Sequence, residues 1–391
     1  MPFAFALRCS FVALLALLPG VLAAQGPAPR PLGTPDAVYS EAFTAISSLR
    51  ELRDGRVLVS DVPDRALHLV DLTAGTARAV GRQGAGPGEY GSPGRLLVLP
   101  GDSTLLWDPM NSRFLTIRPD GTPGATMPLI DPGEHLLLGA LAGIDDHGRL
   151  YYVVTRRAAG SGGLLSGHEA DLVRYERGSG RLDTLATLNL PRGEQTGAHA
   201  LPGGMLQRFT NLPFAARDVA AVAADGRVAI VRVDGFRVEW VGGGSRVMGP
   251  ATPFRPIRIT EAEKRAFVAG LRQPGQIMVR GGGAGGGVAL PRGGGPPPGG
   301  GDDLSGMTWP AAKPPFLAGA AQIDRLGRVW VLESRAHDDP IPVHAVLGSR
   351  GELIERVSLP RDTRLVGFGA GTVYLSRTDE DGLQYLQRYR R

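Results

Sequence analysis

The side chains that could do chemistry here are few, and their spacing excludes most of it. Seven histidines are present, His68, His135, His147, His168, His199, His337 and His344. None lies in an H-x-H or H-E-x-x-H pattern, so no local segment presents a metal. The single cysteine, Cys9, precedes an apolar run near the start of the chain. Without a second thiol there is no intrachain disulfide, and with Cys9 removed there is no thiolate chemistry either. The string "TDEDG" at 378–382 begins like a calcium loop but lacks the remaining ligands and the closing glutamate, so it reads as a hairpin turn. No G-x-S-x-G, P-loop or Ser-x-x-Lys string occurs. No residue is therefore assigned a catalytic role, and no metal or cofactor is expected.

Two features remain. One is "GRQGAGPGEYGSPG" at 81–94, in which Gly86 to Gly91 satisfies G-x-G-x-x-G, the pattern of a phosphate cradle. That cradle requires a helix directly after it, to receive the pyrophosphate at its N-terminus, and an acidic residue about 20 positions on. Here Pro93-Gly94 leads into "RLLVLPGD", a short strand and a hairpin turn. The segment is a linker whose glycines supply turns and whose prolines stiffen the path. The other feature is arginine. Of 43 basic residues only Lys264 and Lys313 are lysine. There is no basic run and no basic amphipathic helix, so nucleic acid is not an expected partner. Charge-assisted recognition of a small anion is the chemistry left to so many guanidinium groups.

The elements that must position those arginines follow from the rest of the chain. Residues 1–24 read as a signal peptide: Arg8, the apolar run Phe11–Leu18, and small residues around Ala23 and Ala24. The run is too short to span a bilayer, which needs about 20 apolar residues, and no later stretch qualifies. The expected location is periplasmic or extracellular. Formal charge is +5, and the leader carries one of those charges on Arg8.

A phrase then repeats: "LRDGRVLVSD", "LPGDSTLLWD", "IDDHGRLYYVV", "AADGRVAIVRV", "IDRLGRVWVLE" and "FGAGTVYLS". Its marker glycines, Gly55, Gly101, Gly148, Gly226, Gly327 and Gly371, are spaced by 46, 47, 78, 101 and 44 residues. A turn between apolar segments at a period of about 40–50 residues is the signature of a propeller blade. The fold expected over 37–391 is all-β: six four-stranded antiparallel blades, after a linker at 25–36. Too few residues follow Gly371 for a full blade, so 37–46 should supply its last strand and close the ring. A β-sandwich with a separate domain is the alternative, and it does not account for six equally phrased units.

With that reading in place, "GRQGAGPGEYGSP", the recurring "DGRV" units and "PPFLAGAAQIDRLGRVWV" at 314–331 make residues 37–391 resemble the secreted six-bladed β-propellers related to NHL-repeat proteins. The resemblance implies the fold, an exported life and binding. Because some related propellers are metal-dependent lactonases or lyases, it also leaves a metal-dependent propeller hydrolase or lactonase as an alternative, and a structural interaction scaffold as another.

The two long spacings imply insertions at 191–216 and 250–317. Within the second, "RGGGAGGGVALPRGGGPPPGGGDD" at 280–303 has too few apolar side chains to order itself and is expected to be disordered. Before it, Thr260 and Glu263 frame a capping box for a helix whose Ala262, Ala266, Phe267 and Leu271 share one face. Asp61 with Arg65, and Asp108 with Arg113, read as structural pairs across turns. Inner strands begin, and second strands end, on the face that carries the inter-blade links. Candidate ligand-binding residues on that mouth are Arg95, Arg217 and Arg364 at inner-strand starts, and Arg156, Arg232, Glu333 and Arg377 at second-strand ends. The function expected is a monomeric binding module for a small anionic ligand or a protein partner.

Overall fold

The second strand of each repeat is apolar at consecutive positions, as in Val57-Leu58-Val59, and such a strand must be covered on both faces. A computed structural model shows how: it describes residues 26–128, 139–156, 168–191, 198–200, 206–208, 213–272 and 307–391. The expected signal peptide and the glycine-rich tract at 280–303 lie outside the described residues.

Six four-stranded antiparallel blades form a propeller ring. Blade 1 comprises Ile46–Glu51, Val57–Asp61, Ala66–Asp71 and Thr76–Ala79. Blade 2 comprises Leu96–Val98, Thr104–Asp108, Arg113–Ile117 and Pro123–Pro128. Blade 3 is built from Gly139–Ile144, Leu150–Thr155, Glu169–Glu176 and Arg181–Asn189. Blade 4 uses Val219–Val222, Val228–Arg232, Arg237–Gly242 and Ser245–Met248. Blade 5 has Ala321–Ile323, Val329–Leu332, Val343–Leu347 and Leu353–Ser358. Blade 6 contributes Thr363–Gly369, Thr372–Thr378 and Gln384–Arg390, and its fourth strand comes from Ala37–Val38 at the other end of the chain.

The core is divided among the seams. Each of the six blade junctions holds its own cluster of buried apolar side chains. Neighbours on one strand serve opposite seams: Val57 and Val59 pack toward blade 6, while Leu58 packs toward blade 2. This two-sided burial is why the strands read as continuous apolar runs.

Ring closure is local chemistry at the sixth blade. Ala37 and Val38 pair with Arg388 and Gln387, and a further bridge joins Phe43 to Gln384. The closing strand is shorter than 37–46. The Asp61 carboxylate accepts from Thr44 N (2.8 Å) and Ala45 N (3.2 Å), which steers the chain out of blade 6 and into blade 1. Asp61 also accepts from Asp64 N. Asp61 is not ion-paired with Arg65 among the described residues; Arg65 sits exposed at φ 52° in the turn, which turns it away. The second expected pair forms, with Arg113 Nε 3.5 Å from Asp108. Just before the closing strand, Arg30–Pro31 add a fifth, parallel strand to blade 5.

The marker turns lie on the opposite face. Gly226 shows why glycine is needed there: its φ is +85°, and a Cβ would meet Asp145 Oδ2 at 2.9 Å. The close approach is used, since the Tyr151 hydroxyl has both acceptors within hydrogen-bond distance, the Asp145 carboxylate (2.8 Å) and the Gly226 carbonyl (3.0 Å), and shares its one proton between them, tying blade 3 to blade 4.

Candidate functional site

The link at 81–94 folds on itself. Arg82–Gln83 and Glu89–Tyr90 pair in parallel, and the Glu89 carboxylate accepts from Gly86 N at 2.8 Å. The Gly91 and Ser92 amides donate to Asp108. The amides that a phosphate cradle would use are thus held by carboxylates, and the element that follows is the strand Leu96–Val98.

On the same face the inner strands begin. Register shifts interrupt the inner strands of blades 1, 3 and 6, at Ser47, Ala142 and Val366. A bulge leaves nearby carbonyls without a ladder partner, and buried carbonyls need one. In each case a long polar side chain from the preceding blade's inner strand supplies it. Arg364 Nη2 donates to Ile46 O, Arg95 Nη1 donates to Leu141 O (2.8 Å) and Ala142 O (2.9 Å), and Gln322 Nε2 donates to Leu365 O (3.3 Å). A belt of bonds from blade to blade results.

Arg217 breaks the pattern. It opens the inner strand of blade 4, but the strand it faces, Ala321–Ile323 in blade 5, pairs without a bulge. Its Nε is buried with no hydrogen-bond partner among the described residues. Burial pushes the Arg95 guanidinium down to about 10 and also lowers Arg217 and Arg364. By accessible surface Arg364 is exposed, whereas Arg95 and Arg217 are half-buried. Among the described residues neither Arg217 nor Arg364 makes an ion pair with a carboxylate.

The other four candidates are placed differently. Arg156 is exposed and pairs with Glu169 and Asp171, both at 2.6 Å. Arg232 pairs with Asp218 (2.7 Å) and Glu239 (2.5 Å) inside its own blade. Glu333 binds Arg356 at 2.8 Å; burial raises its carboxyl above the usual range, with Arg356 opposing. Arg377 is exposed, its guanidinium 5.4 Å from the Tyr385 ring centre. Arg95, Arg217 and Arg364 thus stand at the starts of inner strands, while Arg156, Glu333 and Arg377 engage partners within their own blades, Arg232 also donates to Thr187 O of blade 3 (2.8 Å), and Arg356, the partner of Glu333, donates to Pro253 O in the link leaving blade 4.

Over blades 4 and 5 stands the helix Glu261–Arg272. Thr260 Oγ1 accepts from Glu263 N (3.3 Å), but Glu263 does not complete the box. Its buried carboxylate binds Lys313 Nζ at 2.5 Å and accepts from His337 N at 2.9 Å, which holds it below the usual range despite burial. Phe267 packs on Phe214 (4.9 Å) and Trp309 (5.7 Å). The side chains of Leu271 and His199 lie outside what is described, as does His135 altogether. Ser334, Arg335 and Gln322 were not singled out by sequence; Arg335 stands only two positions beyond Glu333, where the same strand-end rule would have reached it. Among the described residues no group of His, Cys, Asp and Glu could hold a metal. No described helix is long and apolar enough to cross a membrane.

No protein-family model and no curated protein matches the chain. Among solved structures, virginiamycin B lyase from Staphylococcus aureus is 10% identical and covers 90% of this chain and 97% of its own, with a TM-score of 0.39. Regucalcin, a calcium-binding protein from Agrobacterium tumefaciens, is 11% identical over 93% of this chain and 95% of its own, TM-score 0.38. A DUF4221 family member from Bacteroides vulgatus is 8% identical over 91% and 96%, TM-score 0.45. The first two are six-bladed β-propeller proteins. At these scores the likenesses carry no argument about activity, and the architecture rests on this chain's own strand pairing.

Proposed function

We propose that the protein is an exported six-bladed propeller that acts as a binding module, taking a small anionic ligand at the mouth where the inter-blade links and both insertions emerge. One observation carries this reading. Arg217 and Arg364 open inner strands on that face with no carboxylate paired to either among the described residues, whereas Arg156 and Arg232 are each ion-paired with two carboxylates. For Arg217, half-buried with its Nε enclosed, a guanidinium without a counter-charge is costly unless an anion supplies one. Arg95 adds a third positive group to the same rim. The export signal is the leader at 1–24, and a rigid ring bearing loops on one face is a common way to present a binding site.

The test is a calorimetric screen of acidic small molecules, including gluconate, citrate and inorganic phosphate, at low and high salt. Saturable binding that weakens with salt, and that Arg364→Gln weakens about tenfold or more, is expected, since a charge-assisted bond contributes about 1.5–3 kcal/mol. If no acid binds, or Arg364→Gln binds as tightly as the parent, the reading fails.

A further inference from the structure

At the head of the seam between blades 4 and 5, donors without partners accumulate. The seam's core joins Val219 and Ala221 of blade 4 to Val329 and Val331 of blade 5. Side chains alternate along a strand, so two residues further toward the mouth the blade 4 row reaches Arg217. The blade 5 row continues through Glu333, whose partner Arg356 also donates to Pro253 O in the link leaving blade 4, and then to Arg335. Nε of Arg217 and Nε of Arg335 are both buried with no hydrogen-bond partner among the described residues, and so is Oγ of Ser334 between Glu333 and Arg335.

Contacts of Lys313 tie the Arg335 backbone to the segment that leads into Arg217. Lys313 Nζ donates to Arg335 O (2.8 Å) and lies 4.9 Å from the ring centre of Phe214, three residues before Arg217. Ser334 N donates to Pro315 O at 2.8 Å. Four cations, Arg217, Lys313, Arg335 and Arg356, therefore reach the seam head against three carboxylates, and Arg217 is the one left without a carboxylate among the described residues. The nearby carboxylates are engaged elsewhere: Glu263 with Lys313, Glu333 with Arg356, and Asp339 with the Nη2 end of Arg335. Buried donors are satisfied in folded proteins almost without exception, and orphans concentrated at one point call for an acceptor. Neither an apolar group nor a cation would meet two guanidinium Nε–H groups and a hydroxyl; an oxyanion meets all three.

We propose that the head of the blade 4–blade 5 seam, beneath the helix Glu261–Arg272, is an oxyanion subsite in which Arg217 and Arg335 face a carboxylate or phosphate and Ser334 donates to it. This deepens the reading of the mouth as an anion site and rests on it, naming where the charged end of the ligand docks. The two residues come from different blades, so binding also bridges the seam.

The experiment titrates inorganic phosphate and, separately, acetate into the full chain, its Arg217→Gln and Arg335→Gln variants, and Arg364→Gln. Binding of either anion by the parent, weakened about tenfold to a hundredfold in Arg217→Gln and in Arg335→Gln, is the expected result. Phosphate alone binding identifies a phosphorylated ligand, and acetate alone a carboxylic acid; either supports the subsite. Loss in Arg364→Gln with full affinity in the other two overturns the subsite and leaves the mouth reading standing. No binding of either anion to the parent overturns the subsite, while the acid screen separately decides the mouth reading. Thermal melting without anion guards against misfolding. Arg217→Gln removes a guanidinium with no carboxylate among the described residues and should leave the midpoint unchanged or higher, Arg335→Gln gives up only its part-exposed pair with Asp339 and should lower it little, and anion should raise the midpoint of the parent but not of these two variants. A parent midpoint indifferent to phosphate and acetate at millimolar concentration would also overturn the proposal.

Discussion

Closure of the ring by the N-terminal segment can be tested at one side chain. Phe43 is 5% exposed and lies at the seam of blades 6 and 1, with ring centres of Tyr39 and His68 at 5.7 and 5.6 Å. Around it are Ile46, Leu49, Val57 and Val59 of blade 1 and Tyr374 and Leu386 of blade 6. Phe43→Ala leaves the backbone bonds to Gln384 in place, both 2.8 Å, so the substitution removes packing and not pairing. Truncating a buried phenylalanine costs about 3–5 kcal/mol through lost transfer energy and the cavity that remains. Total stability of a domain is about 5–15 kcal/mol, so the loss is a large share of it. The assay is urea unfolding followed by tryptophan fluorescence, since Trp240 and Trp330 are buried in the propeller core. Val38→Ala is the control: Val38 lies in the paired segment itself but is 50% exposed, and should cost less than about 0.5 kcal/mol. If Phe43→Ala unfolds within about 1 kcal/mol of the parent, the segment does not hold the ring closed and the seam cluster is not what stabilises it.

Two further outcomes follow from buried charge. His344 is buried beside Trp330, and burial pushes its imidazole from 6.5 down to about 4. Above pH 6.5 neither folded nor unfolded chain protonates it; between 6.5 and about 4 only the unfolded chain does, so stability falls as pH falls through that window. The loss from this group amounts to about 3 kcal/mol at most, and His344→Gln should flatten that part of the pH profile of unfolding free energy; an unchanged slope refutes it. Arg232→Ala should behave as a folding defect, costing about 3 kcal/mol by leaving the buried Asp218 carboxylate short of its cation. Arg156→Ala, in an exposed and solvent-screened pair, should lower the thermal midpoint far less than Arg232→Ala, and equal midpoint shifts of the two would contradict the assignment.

The propeller is legible because its unit is local. Asp54-Gly55-Arg56 and Asp225-Gly226-Arg227 each build a hairpin from their own atoms, with the aspartate accepting from the arginine two positions on. The seams are not legible in the same way. Arg364 meets Ile46 across 318 positions, and it does so because a bulge at Ser47 exposes a carbonyl that no residue type announces. The same gap explains the division within the candidate site. A side chain at the end of a second strand lies beside the third strand of its own blade. There Arg232 finds Glu239, Arg156 finds Asp171 and Arg377 finds the ring of Tyr385. A side chain at the start of an inner strand has the next blade's inner strand before it, whose backbone offers carbonyl oxygens and no counter-charge. Position within the blade, and not residue type, therefore decides whether a guanidinium meets a carboxylate or ring of its own blade or a backbone carbonyl of the next. Arg217 is the extreme case: the strand it faces carries no bulge, and its buried Nε finds no hydrogen-bond partner among the described residues.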